Sequence, residues 1–361
     1  MIILGIETSC DETAAAVVKN GRNILSTVVA SSLQMHAKSG GIIPEKAARE
    51  QLKSILPVIQ EALNQALSDK PAREYTKYID AIAVTVGPGL VGSLLVGVET
   101  AKTLAHVWKK PIIPVNHLVA HIYANWLSPN SKVKIPASPA GRQNSKSPEF
   151  PALALVVSGG HTDLVLMKGY GKLEWLGGTR DDAAGETFDK CARLLGLPYP
   201  GGPAIADAAA NYQLLTINHQ PLKMFPRPMI DKDNFDFSFS GLKTAVFREI
   251  QNPKKLDKER LAAEVQEAIV DVLVTKTLRA VKKFRPKSLL LAGGVAANLR
   301  LREKFKLEIR NLSLEIDFRV PSPTLCTDNA AYIAAYAFYN YLPSNLERVA
   351  TNPELTIVGQ P

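Results

Sequence analysis

The sequence holds only three cysteines, Cys10, Cys191 and Cys326. They lie too far apart for a Cys-x-x-Cys metal knuckle, and an odd number argues against a disulfide framework, so reduced, structural thiols in a reducing cytosol are expected. Long hydrophobic runs are missing as well: no segment reaches the roughly 18 uninterrupted apolar residues that a membrane span needs. The opening MIILGIETSC has no basic region, long apolar stretch or small-residue cleavage site. Neither export nor membrane insertion is therefore expected, and a cytoplasmic location is. The glycine-rich turns lack both the Gly-Lys-Ser/Thr of a P-loop and the Gly-x-Gly-x-x-Gly of a dinucleotide fold. RNP and KH-type signals are absent too.

What is present is a globular composition, with 361 residues, 46% hydrophobic and 21% charged, enough for two domains or one large one. Forty-three Lys and Arg against 34 Asp and Glu leave a net charge of +9, a general pointer to polyanionic partners.

The chain opens with an apolar run, Met1 to Thr8, then a polar elbow, Ser9-Cys10-Asp11-Glu12-Thr13, then a second apolar run, Ala14 to Val18, closed by Asn20-Gly21. This predicts a hairpin, with a third strand near Asn23 to Ser31. Pro44 opens a helix through Leu52, Leu56, Ile59 and Leu63, with a kink allowed at Pro57. A strand over Tyr78 to Val86 stops at Gly87-Pro88-Gly89, and Val91 to Val107 reads as a tightly packed helix. Ile112 to Val115 is a strand, and Asn116 to Leu127 a helix. About 150 residues after the start the pattern returns: Pro151 to Val157, an elbow Ser158-Gly159-Gly160-His161-Thr162-Asp163, then Leu164 to Met167. That repetition favours a duplicated α/β architecture. A third elbow, Gly293-Gly294-Val295, follows the strand Ser288 to Ala292. Phe235, Phe237 and Phe239 alternate as a buried strand would, and Lys258 to Lys283 is the clearest helix. The expected layout is a first lobe over 1–127, a surface insertion or linker over 128–150, a second lobe over 151–345 and a tail over 346–361. The first lobe has the option of recruiting a helix near 328–342.

His117 and His121, four apart, face one side of a helix a turn apart, the geometry one metal ion needs. A zinc peptidase carries Glu after its first histidine, where this chain has Leu118. A third donor must come from elsewhere, and Asp328, just before a small-residue helix, is the best candidate; its alternative role is to cap that helix. Asp181, Asp182, Glu186 and Asp189 put four carboxylates within nine residues, a density that calls for solvent, a sugar hydroxyl or a cation. Arg279, Lys282, Lys283, Arg285 and Lys287 form a basic cluster that suits an RNA backbone or is a solvated helix end.

The segments GIETSCDETAAAVV, GGIIPEKAARE, VGPGLVGSLLVGVETAK, NHLVAHIYA, VVSGGHTDLVL, DDAAGETFDKCARLLGLPYPGGP, FSFSGLKTA, LAGGVAANLRLR and CTDNAAYIAA, in this order from Gly5 to about Tyr339, closely resemble the bacterial TsaD family, formerly called Gcp or glycoprotease. The resemblance implies the duplicated actin-like, hsp70 and acetate-kinase (ASKHA) α/β fold, two lobes with the active site in the cleft. It further implies transfer of threonylcarbamoyl from threonylcarbamoyl-AMP to N6 of the adenosine at tRNA position 37 in ANN-decoding tRNAs, with release of AMP. The family's metal ligands fall on His117, His121 and Asp328, for one divalent ion per subunit, iron first, with zinc or magnesium open. Its adenylate-binding positions fall on Val157, Ser158, Gly159, Gly160, His161, Asp189, Gly202 and Asn298. Asp11 and Glu12 fall where the family keeps acidic residues near the reacting end, the candidates for a base. A TsaB-like paralogue and a TsaE-like ATPase are the implied partners beside tRNA. Where most bacterial members read Pro-Glu-x-Ala-Ser-Arg-x-His, this chain has Ala48 in place of Ser and Gln51 in place of His. Three other readings stay open: a kinase or ATPase of the same fold, a non-catalytic scaffold, and a metalloprotease, which Leu118 makes chemically awkward.

Overall fold

The computed structural model describes residues 1–32, 42–129, 147–215, 224–251 and 257–361. They group into two units, residues 1–147 with 321–361, and residues 148–320.

In the first unit, β1 (Ile2–Glu7), β2 (Glu12–Lys19) and β3 (Asn23–Ser31) form an antiparallel meander. Two further strands, β4 (Ala81–Gly87) and β5 (Ile112–Asn116), run parallel beside β1, and β6 (Ser128–Pro129) adds to β3. The order is β5-β4-β1-β2-β3-β6. β1, β2 and β4 are almost wholly buried apolar runs, as strands covered on both faces must be. The covering helices are Pro44–Ala66, Val91–Trp108, His117–Tyr123 and Ala331–Tyr339.

The second unit repeats the plan. A meander of β7 (Ala152–Val157), β8 (Thr162–Gly169) and β9 (Lys172–Gly178) is followed by parallel strands β10 (Ser288–Ala292) and β11 (Asp317–Arg319), in the order β11-β10-β7-β8-β9. Leaving β6 aside, β3-β2-β1-β4-β5 and β9-β8-β7-β10-β11 match in order and direction, so the duplication lies in topology as well as in the elbows. Helices Ala184–Leu194, Gly201–Leu215, Ser240–Ile250 and Lys258–Phe284 lie between β9 and β10, and Leu299–Asn311 between β10 and β11.

Several boundaries differ from expectation. The second unit ends at 320 instead of 345, because the chain from 321 packs with the first sheet: Ala331–Tyr339 lies against β1 and β2. Gly5 permits this, since a Cβ there would lie 2.3 Å from the Ala330 carbonyl oxygen and 3.2 Å from the Ala334 methyl. The expected tail is not free either. Leu355 and Ile357 are buried, and the Asn116 side chain donates to the carbonyls of Thr356 and Gly359. Pro57 sits inside an unbroken helix whose buried line is Ile55, Val58, Ile59, Ala62 and Leu63, while Leu52 and Leu56 are exposed. The helix read over Asn116 to Leu127 stops at Tyr123 and tightens to a 3₁₀ turn, Ala124–Trp126. Phe237 and Phe239 are buried, but their segment makes only an isolated bridge, Thr179 to Phe237. Of the expected insertion, residues 130–146 lie outside the described residues, as do Gly40 and Gly41. Among the described residues no helix is long and apolar enough to cross a membrane.

Candidate functional site

The first elbow and the histidine pair meet within the first unit. Asn116 ends β5, and its side-chain oxygen accepts from the amides of Leu118 and Val119, capping the helix that carries His117 and His121. The two Nε2 atoms lie 3.1 Å apart, and Asp328 Oδ1 lies 3.6 Å from that of His117 and 3.3 Å from that of His121. Such separations suit three donors sharing one ion at about 2.1 Å from each. Among the described residues this trio is the group whose ligand atoms converge for a metal.

Asp328 does not cap the following helix. Asn329 does so, its Oδ1 accepting from the amides of Ala331 and Tyr332. The Asp328 carboxylate instead faces the two imidazoles.

Four residues missed in the sequence complete the surroundings. Glu7, the last residue of β1 and fully buried, accepts from Thr85 Oγ1 at 2.6 Å and from the Ser9 amide at 2.5 Å, and pairs with His117 Nδ1 at 2.9 Å. A carboxylate on Nδ1 fixes the tautomer that leaves the Nε2 lone pair for a metal. Ser9 Oγ lies 3.3 Å from the same Nδ1. The Tyr332 hydroxyl lies 3.3 Å from His121 Nε2 and donates to Asp328 Oδ1 at 3.4 Å. The available signal for Glu7 was one carboxylate closing an otherwise apolar strand, a placement that costs too much without a partner.

The electrostatics favour a cation here. Burial opposes charge on His117, yet the Glu7 and Asp328 carboxylates outweigh it and push its pKa up to about 9. Burial pushes Asp328 up, but the two histidines more than offset that and bring it down to about 2. Burial, aided by the His117 charge, holds His121 below its ordinary value against the pull of Asp328. Burial also raises the Tyr332 phenol, with Asp328 adding to the effect, so the hydroxyl is neutral.

Asp11 is buried and Glu12 partly so. Burial first, then the hydrogen bond with Asp11, pushes Glu12 up to about 9, so it carries a proton at neutral pH.

The expected adenylate positions all fall in the second unit. Ser158, Gly159, Gly160 and His161 turn between β7 and β8, the Ser158 amide donating to the His161 carbonyl at 2.8 Å. The Gly185 and Glu186 amides, at the start of the next helix, donate to the carbonyls of Ser158 and Gly159. Val157 is a core side chain, so only its backbone is available to a ligand. Gly293, at φ +87, lets the third elbow close on the second: a Cβ there would lie 2.4 Å from the Val157 carbonyl oxygen. By contrast, a Cβ on Gly159, Gly160, Gly202 or Gly294 would meet nothing within 4 Å. Asp189 Oδ1 accepts from the Gly201 amide at 2.7 Å, tying down the helix start that contains Gly202. The Asn298 side chain caps helix Leu299–Asn311 through Leu301 and donates to Gln266 Oε1, another residue the sequence did not single out.

The carboxylate cluster is mostly consumed internally. Asp181 caps helix Ser240–Ile250 through the Phe239 and Ser240 amides, and Asp182 and Glu186 both pair with Lys190. In the basic cluster, Arg279 donates to the carbonyls of Ile230 and Lys232, and Lys283 sits 5.4 Å over the Phe235 ring. Lys282, Lys283, Arg285 and Lys287 are exposed. The three cysteines are free thiols.

Comparison with known proteins matches residues 23–335 to the TsaD family, described as tRNA N6-adenosine threonylcarbamoyltransferase. The protein of that name from Thermomicrobium roseum is 49% identical over 94% of this chain and 92% of its own. That from Geobacillus kaustophilus is 47% identical over 99% of this chain and 97% of its own. Among solved structures, HypF from T. kodakarensis superposes with a TM-score of 0.56 at 14% identity, covering 94% of this chain and 47% of that one. Component A of the Acidaminococcus fermentans (R)-2-hydroxyglutaryl-CoA dehydratase gives 0.50 at 14% identity, covering 94% and 98%. At such identity these two show likeness of fold alone.

Proposed function

We infer the chemistry from one premise: the chain belongs to the TsaD family, tRNA N6-adenosine threonylcarbamoyltransferase. It is an acyltransferase that modifies tRNA, moving threonylcarbamoyl from threonylcarbamoyl-AMP to N6 of adenosine 37 in ANN-decoding tRNAs. The observation that carries the reading to particular residues is the convergence of His117, His121 and Asp328, with Glu7 holding the first ring.

In the reaction, N6 forms a bond to the carbamoyl carbon, the bond from that carbon to the phosphate oxygen breaks, and AMP leaves while N6 loses a proton. His117, His121 and Asp328 would hold one divalent ion, Fe2+ in the first instance. When bound, it supplies Lewis-acid stabilisation of the charge that develops on the donor's oxygens. The adenosine amine is a poor nucleophile because its lone pair is delocalised into the ring, so alignment matters more than basicity. We assign Asp11 to accept the N6 proton and Glu12, which keeps its own, to hold Asp11 by a hydrogen bond.

The adenylate half of the donor is assigned to the Val157–His161 elbow, Asp189, Gly202 and Asn298. The open faces of Gly159, Gly160 and Gly202 support this, since they leave room beside backbone amides for a nucleotide. Arg279 and the exposed Lys282, Lys283, Arg285 and Lys287 are candidate tRNA contacts, although the Arg279 guanidinium also donates to the Ile230 and Lys232 carbonyls. A TsaB-like paralogue, a TsaE-like ATPase and a cytoplasmic setting complete the reading.

Reconstituted transfer tests it, with labelled threonine in threonylcarbamoyl-AMP, tRNA and the partner proteins present or absent. His117→Ala and Asp328→Ala should abolish incorporation into tRNA while far-UV circular dichroism stays native. Retained transfer in either variant overturns the metal role, and ATP turnover without transfer by the native chain overturns the activity.

A further inference from the structure

The first elbow is held from outside by the two helices behind it. Every carbonyl from Thr8 to Glu12 has a donor. Ser9 takes the Leu90 amide, Asp11 the Ser32 hydroxyl, and Cys10 the Ser93 hydroxyl at 3.0 Å. One side chain spans the rest: Gln51 Nε2 lies 3.4 Å from the Thr8 carbonyl oxygen, 3.1 Å from that of Cys10 and 2.9 Å from that of Glu12. Gln51 is 1% exposed, on helix Pro44–Ala66, and its Oε1 is buried without a donor among the described residues. A buried amide that leaves its own oxygen unpaired is kept for its N–H groups.

The other departure from the resembled pattern has a place in the same arrangement. A Cβ built on Gly92 would lie 3.2 Å from the Ala48 methyl, so a small residue at 48 facing a glycine at 92 lets the helices approach closely. That approach brings Gln51 and Ser93 onto one acceptor, the Cys10 carbonyl.

We propose that Gln51 is a positioning residue for the transfer reaction: its amide fixes the elbow backbone and through it the Asp11–Glu12 pair. The kinetic part of this rests on the transferase reading above; the elbow's rigidity does not. Deleting the donors frees the elbow without touching Glu7, which Thr85 and His117 still hold.

The test compares Q51L, close in size with no donor, and Q51H, which keeps a ring N–H, with the native chain. Hydrogen exchange of the peptide spanning residues 8–13 should be about tenfold faster in Q51L and near native in Q51H. Transfer should show kcat lower by about tenfold or more in Q51L, with KM for threonylcarbamoyl-AMP and for tRNA nearly unchanged, and recovery in Q51H. Zn2+ affinity should stay near native in both. Unchanged exchange in Q51L overturns the anchoring role whatever the activity. Faster exchange with native kcat overturns the catalytic consequence, and equal impairment of Q51L and Q51H shows that the donor is not what matters. Should Q51L fail to fold, Q51M, unbranched, close in size and equally without a donor, takes its place under the same criteria: native exchange there refutes the anchoring role. A native chain that performs no transfer defeats the functional reading, and the exchange comparison still decides whether Gln51 anchors the elbow.

Discussion

Replacing Glu7 by Gln is the sharpest probe of the metal centre, because it changes a charge and a donor pattern at nearly constant shape. The carboxylate serves three partners: Oε2 faces His117 Nδ1 and Thr85 Oγ1, and Oε1 faces the Ser9 amide. An amide can satisfy only part of this. With its oxygen toward His117, its NH2 confronts the Ser9 N–H, leaving a buried donor unpaired at about 1–3 kcal/mol. With the amide reversed, NH2 points at Nδ1, the ring takes the other tautomer, and the proton moves to Nε2, where a metal needs the lone pair. Either way the His117 lone pair is harder to present. Loss of such an outer partner lowers metal affinity by about 10- to 100-fold, which is about 1.4 to 2.8 kcal/mol. The measurement is a Zn2+ competition titration against a chromophoric chelator at fixed pH, with circular dichroism to verify the fold. A dissociation constant within twofold of native, in a folded variant, would refute the claim that Glu7 sets the His117 tautomer.

Two neighbouring glycines should respond in opposite ways. A methyl at Gly202 meets nothing within 4 Å, so Gly202→Ala should fold with native stability yet bind AMP more weakly by calorimetry; native AMP affinity removes this helix start from the adenylate site. At Gly201 the methyl would lie 2.5 Å from Asp189 Cα and 2.7 Å from the Phe188 carbonyl oxygen, and Gly201→Ala should lower the unfolding free energy by about 1–3 kcal/mol, read as a lower denaturant midpoint; an unchanged midpoint would refute the tight approach. Glu12 makes stability depend on pH. Its folded pKa, about 9, lies above the ordinary glutamate value of 4.5, so its contribution is full below that lower value and is lost as pH rises through the folded one. With chelator present, native protein should lose stability from pH 5 to pH 9, and Glu12→Gln should lose less; parallel curves would show that Glu12 is ionised in the fold.

The fold was legible where burial is two-sided. β1, β4, β7 and β10 are continuous apolar runs closed by glycine or a polar elbow, and their sequence says strand without reference to partners. β9, KLEWLGG, was not read, because its exposed and half-buried residues carry little apolar periodicity and its place is set by pairing with β8. The end of the second unit was read at 345, with a helix near 328–342 only an option for the first lobe, for a related reason. Nothing between Val320 and Pro321 breaks the composition; what assigns Ala331–Tyr339 to the first sheet is its packing on β1, which the small residue at Gly5 allows but does not announce.

The site shows the same division. His117 and His121 are legible because a helix makes four-residue spacing a spatial statement, whereas Asp328 is separated from them by some 200 positions and only the resemblance chose it over a capping role. In the structure the neighbouring side chain makes the helix-start contacts. Asn329, whose neutral side chain meets the amides of Ala331 and Tyr332, takes the cap, and the Asp328 carboxylate lies against the imidazoles. Asn suits that position as well as Asp does, whereas a ligand to a divalent ion gains from full charge, so the order Asp-Asn fits the proposed division of the two tasks. Glu7 and Asn116 divide the work likewise: the charged residue faces an imidazole, and the neutral one caps the helix that bears it. Glu7 and Asp328 thus face imidazoles, and the two helix starts beside them are satisfied by uncharged amides, which is the economy a buried polar site requires.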